Sequence, residues 1–221
     1  MILRFLSAAA LLAASPALAQ SRPQASPTVT PVATGSYLIG NPKARVRLVE
    51  YVSYTCPHCA HYAEQSEAAV KAMIRSGSLA VEVRNQVHDG FDLAAATLAR
   101  CAGPAAFPAL HAALFARQRE WIERAVAWQQ ANAERIRSYP QLAQLKALVD
   151  GSGLADIARA SGVPQPRIDA CFANERFVAK TLAVSNATKV SGTPAFEING
   201  RLVENVDWAK LQPMLRAAGA K

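Results

Sequence analysis

Between Arg45 and Ser53 the chain places Val46, Leu48, Glu50 and Val52 on one side and Arg45, Arg47, Val49, Tyr51 and Ser53 on the other, the period of two of a β-strand. From Cys59 onward the period changes. Tyr62, Ala63, Ser66, Val70, Met73 and Ile74 recur at three and four residues and form one helix face, while His61, Glu64, Gln65, Glu67, Lys71 and Arg75 occupy the other. Pro57 falls at the first helical position, where its missing N–H costs nothing, and Gly77 supplies the stop. A second strand follows at Leu79 to Val87, alternating Leu79, Val81 and Val83 with Ala80, Glu82 and Arg84.

After Asp89-Gly90 the texture becomes alanine-rich and helical as far as about Val190, with breaks at Gly103-Pro104, Tyr139-Pro140, Gly151-Ser152-Gly153 and Gly162-Val163-Pro164. Leu110, Leu114, Trp121, Ile122 and Trp128 predict one long amphipathic helix whose role is core packing. No internal repeat is present. Strands return with Ala195 to Ile198, and Asn199-Gly200 predicts a two-residue turn into Arg201 to Glu204. Asp207 can cap a last helix, Trp208 to Ala218, with Trp208, Leu211, Met214 and Leu215 on its inner face. Strand–helix–strand, a helical interruption, then hairpin and helix is an α/β domain with an insertion.

The candidate chemistry sits where the first strand gives way to the first helix, at Cys56-Pro57-His58-Cys59. Two cysteines separated by two residues at that junction are the layout of a thiol–disulfide centre. Cys56 is expected at the helix cap, on the exposed tip, and Cys59 one turn in on the buried stripe. Unpaired N–H groups and the positive end of the helix dipole stabilise an anion at Cys56, and His58 can add a donor or a positive charge. Such placement lowers a thiol pKa to about 3.5–7.5 from ~8.5. Cys59 then acts second, resolving a mixed disulfide formed at Cys56.

Composition narrows the setting. Met1 to Ala19 reads as a signal peptide: Arg4, a short apolar run from Phe5 to Ala14, and Ala17-Leu18-Ala19 as the cleavage site. That run is too short to span a bilayer, for which ~20 apolar residues are needed. Losing Arg4 with it takes the formal net charge from +8 to +7. The basic residues are scattered, with only Lys43, Arg45 and Arg47 clustered, so a solvated surface is expected rather than a nucleic-acid interface. All four cysteines lie in the mature chain, which fits an oxidising compartment.

Three features have competing readings. Glu50 shares its strand face with three aliphatic side chains, six residues ahead of Cys56. Buried, its pKa would rise and let it exchange a proton with Cys59; otherwise it is a strand-end carboxylate facing solvent or an arginine. Cys101 and Cys171 could form a structural disulfide, a zinc half-site or two unrelated buried thiols; export favours the disulfide. His88 and His111 have no ligand-like neighbours in sequence and read as structural.

Taken together, residues Ser36 to Ala218 resemble the DsbA-like branch of the thioredoxin superfamily: a thioredoxin-like fold with an inserted α-helical domain. The Cys-Pro-His-Cys motif and the run Glu50-Tyr51-Val52-Ser53-Tyr54-Thr55-Cys56 carry the resemblance. It implies a buried proton carrier at Glu50, a substrate-binding cis-proline loop at Thr193-Pro194, and a second disulfide at Cys101–Cys171 of the kind that some relatives hold in the insert. The boundaries expected are a signal peptide at 1–19, a disordered lead-in at 20–35, thioredoxin-like segments at 36–90 and 191–221, and a helical insertion at 91–190. The implied activity is periplasmic, or alternatively extracellular, donation of the Cys56–Cys59 disulfide to reduced or misoxidised exported proteins. A DsbB-like, quinone-linked membrane partner would reoxidise it. No cofactor, metal or nucleic acid is implied, and the chain is expected to be a monomer.

Three other readings compete with that one. Threonine before the cis-proline also occurs in isomerase-type relatives, whereas Pro57-His58 points to the oxidase; an isomerase or reductase is the main alternative. A zinc module built on Cys56, Cys59 and His58 or His61 has only one CxxC to offer. Covalent haem attachment needs histidine directly after the second cysteine, where Ala60 stands.

Overall fold

The computed structural model describes residues 27–221. The expected signal peptide and the first part of the expected lead-in lie outside them. Among the described residues, six strands form one mixed sheet in the order β1-β2-β4-β3-β5-β6. They are β1 (Val29–Pro31), β2 (Tyr37–Gly40), β3 (Val46–Val52), β4 (Leu79–Asn85), β5 (Ala195–Ile198) and β6 (Arg201–Val203). β3 runs parallel to β4 across α1 (Pro57–Arg75) and antiparallel to β5, which turns back through Asn199-Gly200 into β6. Both turn residues have positive φ, 50° and 88°, as a two-residue hairpin of the right twist requires.

The period-two pattern of β3 is realised across the sheet. Glu50 stands opposite Val83 on one side and Phe196 on the other, and Leu48 opposite Val81 and Ile198. This face joins the main core with Cys59, Tyr62 and Met73 of α1. The reverse face carries a smaller cluster of Val49, Tyr51 and Ala195, beside Glu82. The Glu82 carboxylate is fully buried and meets both Arg47 and Arg84.

Between β4 and β5 lies the helical block: α2 (Gly90–Cys101), α3 (Phe107–Ala116), α4 (Gln118–Ile136), α5 (Gln141–Gly151), α6 (Leu154–Ala160), α7 (Gln165–Cys171) and α8 (Arg176–Ala187). α2 packs against α3, α5, α7 and α8, and α8 also packs on β4. The block meets the sheet domain where α3 lies against α1. The chain ends in α9 (Trp208–Ala218), capped by the Asp207 carboxylate on the Lys210 N–H. Among the described residues, no helix is long and apolar enough to cross a membrane.

Three expectations need correction. Residues 29–31, inside the supposed disordered lead-in, form β1: they pair antiparallel with β2, so backbone hydrogen bonds order a segment that has little apolar content. The single long helix through Leu110 and Trp128 is two, because Arg117 has φ −109° and ψ 18° and turns the chain between α3 and α4. Met214 is exposed rather than on the inner face of α9; Leu211 and Leu215 alone are fully buried there.

Candidate active site

α1 begins at Pro57 with Cys56 as its cap residue, in extended conformation at φ −78° and ψ 118°. The Cys56 carbonyl starts the helix by accepting the N–H groups of Cys59 and Ala60 at 3.1 and 3.3 Å. Cys59 lies one turn in and is fully buried. Cys56 is not on an open tip: it is only 9% exposed, because the Thr193-Pro194 loop, joined by a cis peptide bond, comes down on it. The Cys56 thiol donates to the Thr193 carbonyl at 3.2 Å. Both thiols are free.

The two sulfurs are driven apart in acidity. The Cys56 pKa falls to about 4, first because the Cys59 thiol donates a hydrogen bond to it. Burial opposes the fall, but the Thr193 side chain and the N–H groups of Cys59 and His58 add to it. Thr193 Oγ1 is buried with no hydrogen-bond partner among the described residues, so its hydroxyl is free to serve a Cys56 thiolate, while the Thr193 carbonyl accepts from the thiol. Cys59 is pushed up, by giving its proton to that same bond and by burial. His58 contributes through its backbone N–H, and its ring lies on the exposed side of the helix.

Glu50 is 6% exposed, on the core face of β3. The one side-chain hydrogen bond to its carboxylate among the described residues comes from Tyr62, whose hydroxyl donates to Oε1 at 2.6 Å. Burial raises the Glu50 pKa to about 7, and the Tyr62 hydrogen bond restrains the rise. Glu50 and Tyr62 also line a largely apolar cavity of about 920 Å³ between α1, α3 and the sheet. His111 borders that cavity too.

The turn carrying Cys56 is held from the helical block by residues that sequence reasoning did not single out for this role. Asp92 of α2 is fully buried and accepts from Ser53 Oγ at 2.6 Å, from the Tyr54 N–H at 2.9 Å and from the His88 N–H at 3.1 Å. Burial outweighs those donors and brings its pKa to about 6. Gln118, the first residue of α4, donates from Nε2 to the carbonyls of Tyr54 and Cys56, at 2.9 and 2.8 Å. His111 of α3 pairs through Nδ1 with the Tyr54 hydroxyl at 2.9 Å, and burial lowers its pKa to about 4, so it is a neutral structural ring. Only Asp92 left a local trace in the sequence, as the first-turn acid of a capped helix. Cys101 and Cys171 are far from this turn in role: they are bonded to each other and tie the end of α2 to the end of α7.

The chain is similar to known proteins over most of this architecture. The thioredoxin family model matches residues 33–217. A protein-disulfide isomerase of Novosphingobium aromaticivorans, solved by crystallography, shares 37% identity with a TM-score of 0.74, over 84% of this chain and 98% of that one. The α-DsbA1 of Wolbachia pipientis shares the fold at 20% identity and a TM-score of 0.64, over 83% of this chain and 90% of that one. A Rickettsia felis protein named as a protein-disulfide oxidoreductase is 31% identical over 192 residues, 81% of this chain. The match spans only 61% of that relative's own length. With a CxxC dithiol at a helix start, a cis-proline loop upon it and a helical block between β4 and β5, the chain belongs to the thioredoxin family.

Proposed function

We propose that this protein is a periplasmic thiol:disulfide oxidoreductase that donates its Cys56–Cys59 disulfide to reduced, folding exported proteins. The observation that carries the reading is the opposed displacement of the two thiols, Cys56 towards the thiolate and Cys59 away from it. A stable Cys56 thiolate is a good leaving group and favours the reduced form, which makes the disulfide oxidising.

In the proposed cycle a client thiolate attacks Cys56 Sγ, the Cys56–Cys59 bond breaks, and Cys59 leaves as a thiolate. Glu50 supplies the proton that Cys59 then takes up. A second client thiolate attacks the client sulfur of the mixed disulfide and expels Cys56 as a thiolate. The client leaves with one new disulfide and the enzyme with two reduced cysteines. Pro57 starts α1 so that Cys56 sits at its cap, His58 lends an N–H, and the Thr193-Pro194 loop holds the client backbone. A DsbB-like quinone-linked membrane protein is the proposed reoxidant. The signal-like residues 1–19 support the location.

An isomerase is the second reading, favoured by the name of the Novosphingobium neighbour and by Thr193 before the proline. The reduction potential of the Cys56–Cys59 pair, measured in glutathione buffers, separates the two. A value far more oxidising than the glutathione couple is expected. A value near or below that couple overturns the donor reading.

A further inference from the structure

Resting on the reading of Glu50 as the proton carrier for Cys59, we propose that Tyr62 is its positioning residue: the Tyr62 hydroxyl fixes the Glu50 carboxylate and holds it ready to accept the Cys59 proton at neutral pH. Tyr62 is three residues beyond Cys59 on the same buried stripe of α1, so the two side chains are neighbours on one helix face. Its ring is wedged against Phe196 of β5, centroids 4.8 Å apart, and edge-on to Trp208 of α9 at 6.2 Å. With the ring packed against β5 and α9, its hydroxyl meets Glu50 Oε1 at 2.6 Å. A phenylalanine would fill the same space and bring no donor. The hydroxyl is therefore the part of Tyr62 that packing does not explain.

The surroundings leave this bond in control of the carboxylate. The strand neighbours of Glu50, Val83 on β4 and Phe196 on β5, are apolar. Tyr62 faces it from α1, with Cys59 one turn earlier on the same helix stripe, Tyr54 lies at the active-site turn, and His111 borders the same cavity from α3, where burial keeps the imidazole neutral. The charged side chains bordering the cavity, Glu64, Glu67, Lys71 and Arg75, and the titratable His61, lie on the outer part of α1, and Lys71 pairs with Glu67. Burial alone disfavours an ionised Glu50, and a donor to the charged form opposes that.

The step concerned is closure of the enzyme disulfide. Cys59 gives its proton to the Glu50 carboxylate, and its thiolate attacks Cys56 Sγ in a mixed disulfide. The Cys56–Cys59 bond forms while the bond to the partner sulfur breaks, and the partner leaves as a thiolate. A single-turnover test starts from full-length protein carrying glutathione on Cys56 and follows closure against pH. Tyr62→Phe is expected to move the acid limb up by about one pH unit, since a hydrogen bond to a charged group is worth that much. Closure then slows about tenfold well below the wild-type midpoint and converges with wild type at alkaline pH. Replacing Tyr62 by 3-fluorotyrosine, which keeps the packing and strengthens the donor, is expected to move the limb down.

If neither substitution moves the limb while Glu50→Gln abolishes it, the role of Tyr62 is refuted and that of Glu50 stands. If Glu50→Gln leaves the limb in place, the reading of Glu50 fails and takes the Tyr62 inference with it. Slowing by the same factor at every pH would make Tyr62 merely structural and overturn the proposal.

Discussion

The molecule holds two cysteine pairs, and the contrast between them bears on where the proposed chemistry takes place. Cys101 and Cys171 are both fully buried and close a link between the ends of two helices, inside one apolar cluster. Cys56 and Cys59 are also buried, so burial does not distinguish a reactive pair from an inert one. The difference is in the donors. Around Cys56 converge the Cys59 thiol, the Thr193 hydroxyl and two helix-start N–H groups, all of which favour a thiolate. A pair is made reactive by stabilising one of its sulfurs as an anion and the other as a thiol.

The most severe way to break the contrast is Cys56→Ser, which is expected to abolish thiol–disulfide exchange with a reduced client peptide. Cys59→Ser should instead accumulate mixed disulfides, visible on non-reducing gels. Normal turnover in either variant would remove the assigned roles.

Next comes a pH effect that only the reactive pair should show. Cys56 ionises at about 4 in the folded protein and at ~8.5 unfolded, so its thiolate stabilises the reduced fold. That contribution is complete above ~8.5, shrinks as pH falls and is gone below about 4. Cys59, held protonated, works the other way above ~8.5. The melting temperature of the reduced protein minus that of the Cys56–Cys59 oxidised protein should therefore rise between pH 4 and pH 8. A flat difference across that range would contradict the thiolate.

The structural pair is tested by replacing Cys101 and Cys171 together with serine. Their separation of 70 residues makes the link worth roughly 4 kcal/mol in the chain-entropy model. For a domain of this size the melting temperature should fall by about 10 °C, with exchange at Cys56 intact. Loss of exchange in the folded variant would draw this pair into the redox path.

The mildest change expected is Gln118→Leu. It removes both side-chain bonds to the turn and should cost about 1–3 kcal/mol in urea unfolding. Exchange should slow modestly, since the Cys56 carbonyl keeps its two helical N–H partners. An unchanged stability would show that the turn does not depend on α4.

What could be read from the sequence was whatever repeats locally. The strand and helix periods delimit β3, α1 and β4, and the Gly and Pro breaks fall between the helices of the insertion as found. Asn199-Gly200 marked its turn for a conformational reason that needs no neighbours. The donors that fasten the active-site turn were illegible, because Gln118 reaches its carbonyls across 62 and 64 residues of sequence and no local pattern distinguishes it from a surface glutamine. β1 escaped notice because its order comes from pairing with β2. Tyr62 was legible as core, and its hydroxyl was not, since the carboxylate it meets stands on another element.

The attachment of the active-site turn to the insertion also sets how the protein opens. The Tyr54 amide is bound by Asp92 of α2, and the carbonyls of Tyr54 and Cys56 by Gln118 of α4. The turn and the base of the helical block are therefore expected to open together as one cooperative unit. In native-state hydrogen exchange, the Tyr54 amide should exchange in step with the amides of α2, not with the edge strands β1 and β6. Loosening the block would then be felt as breathing at the redox centre.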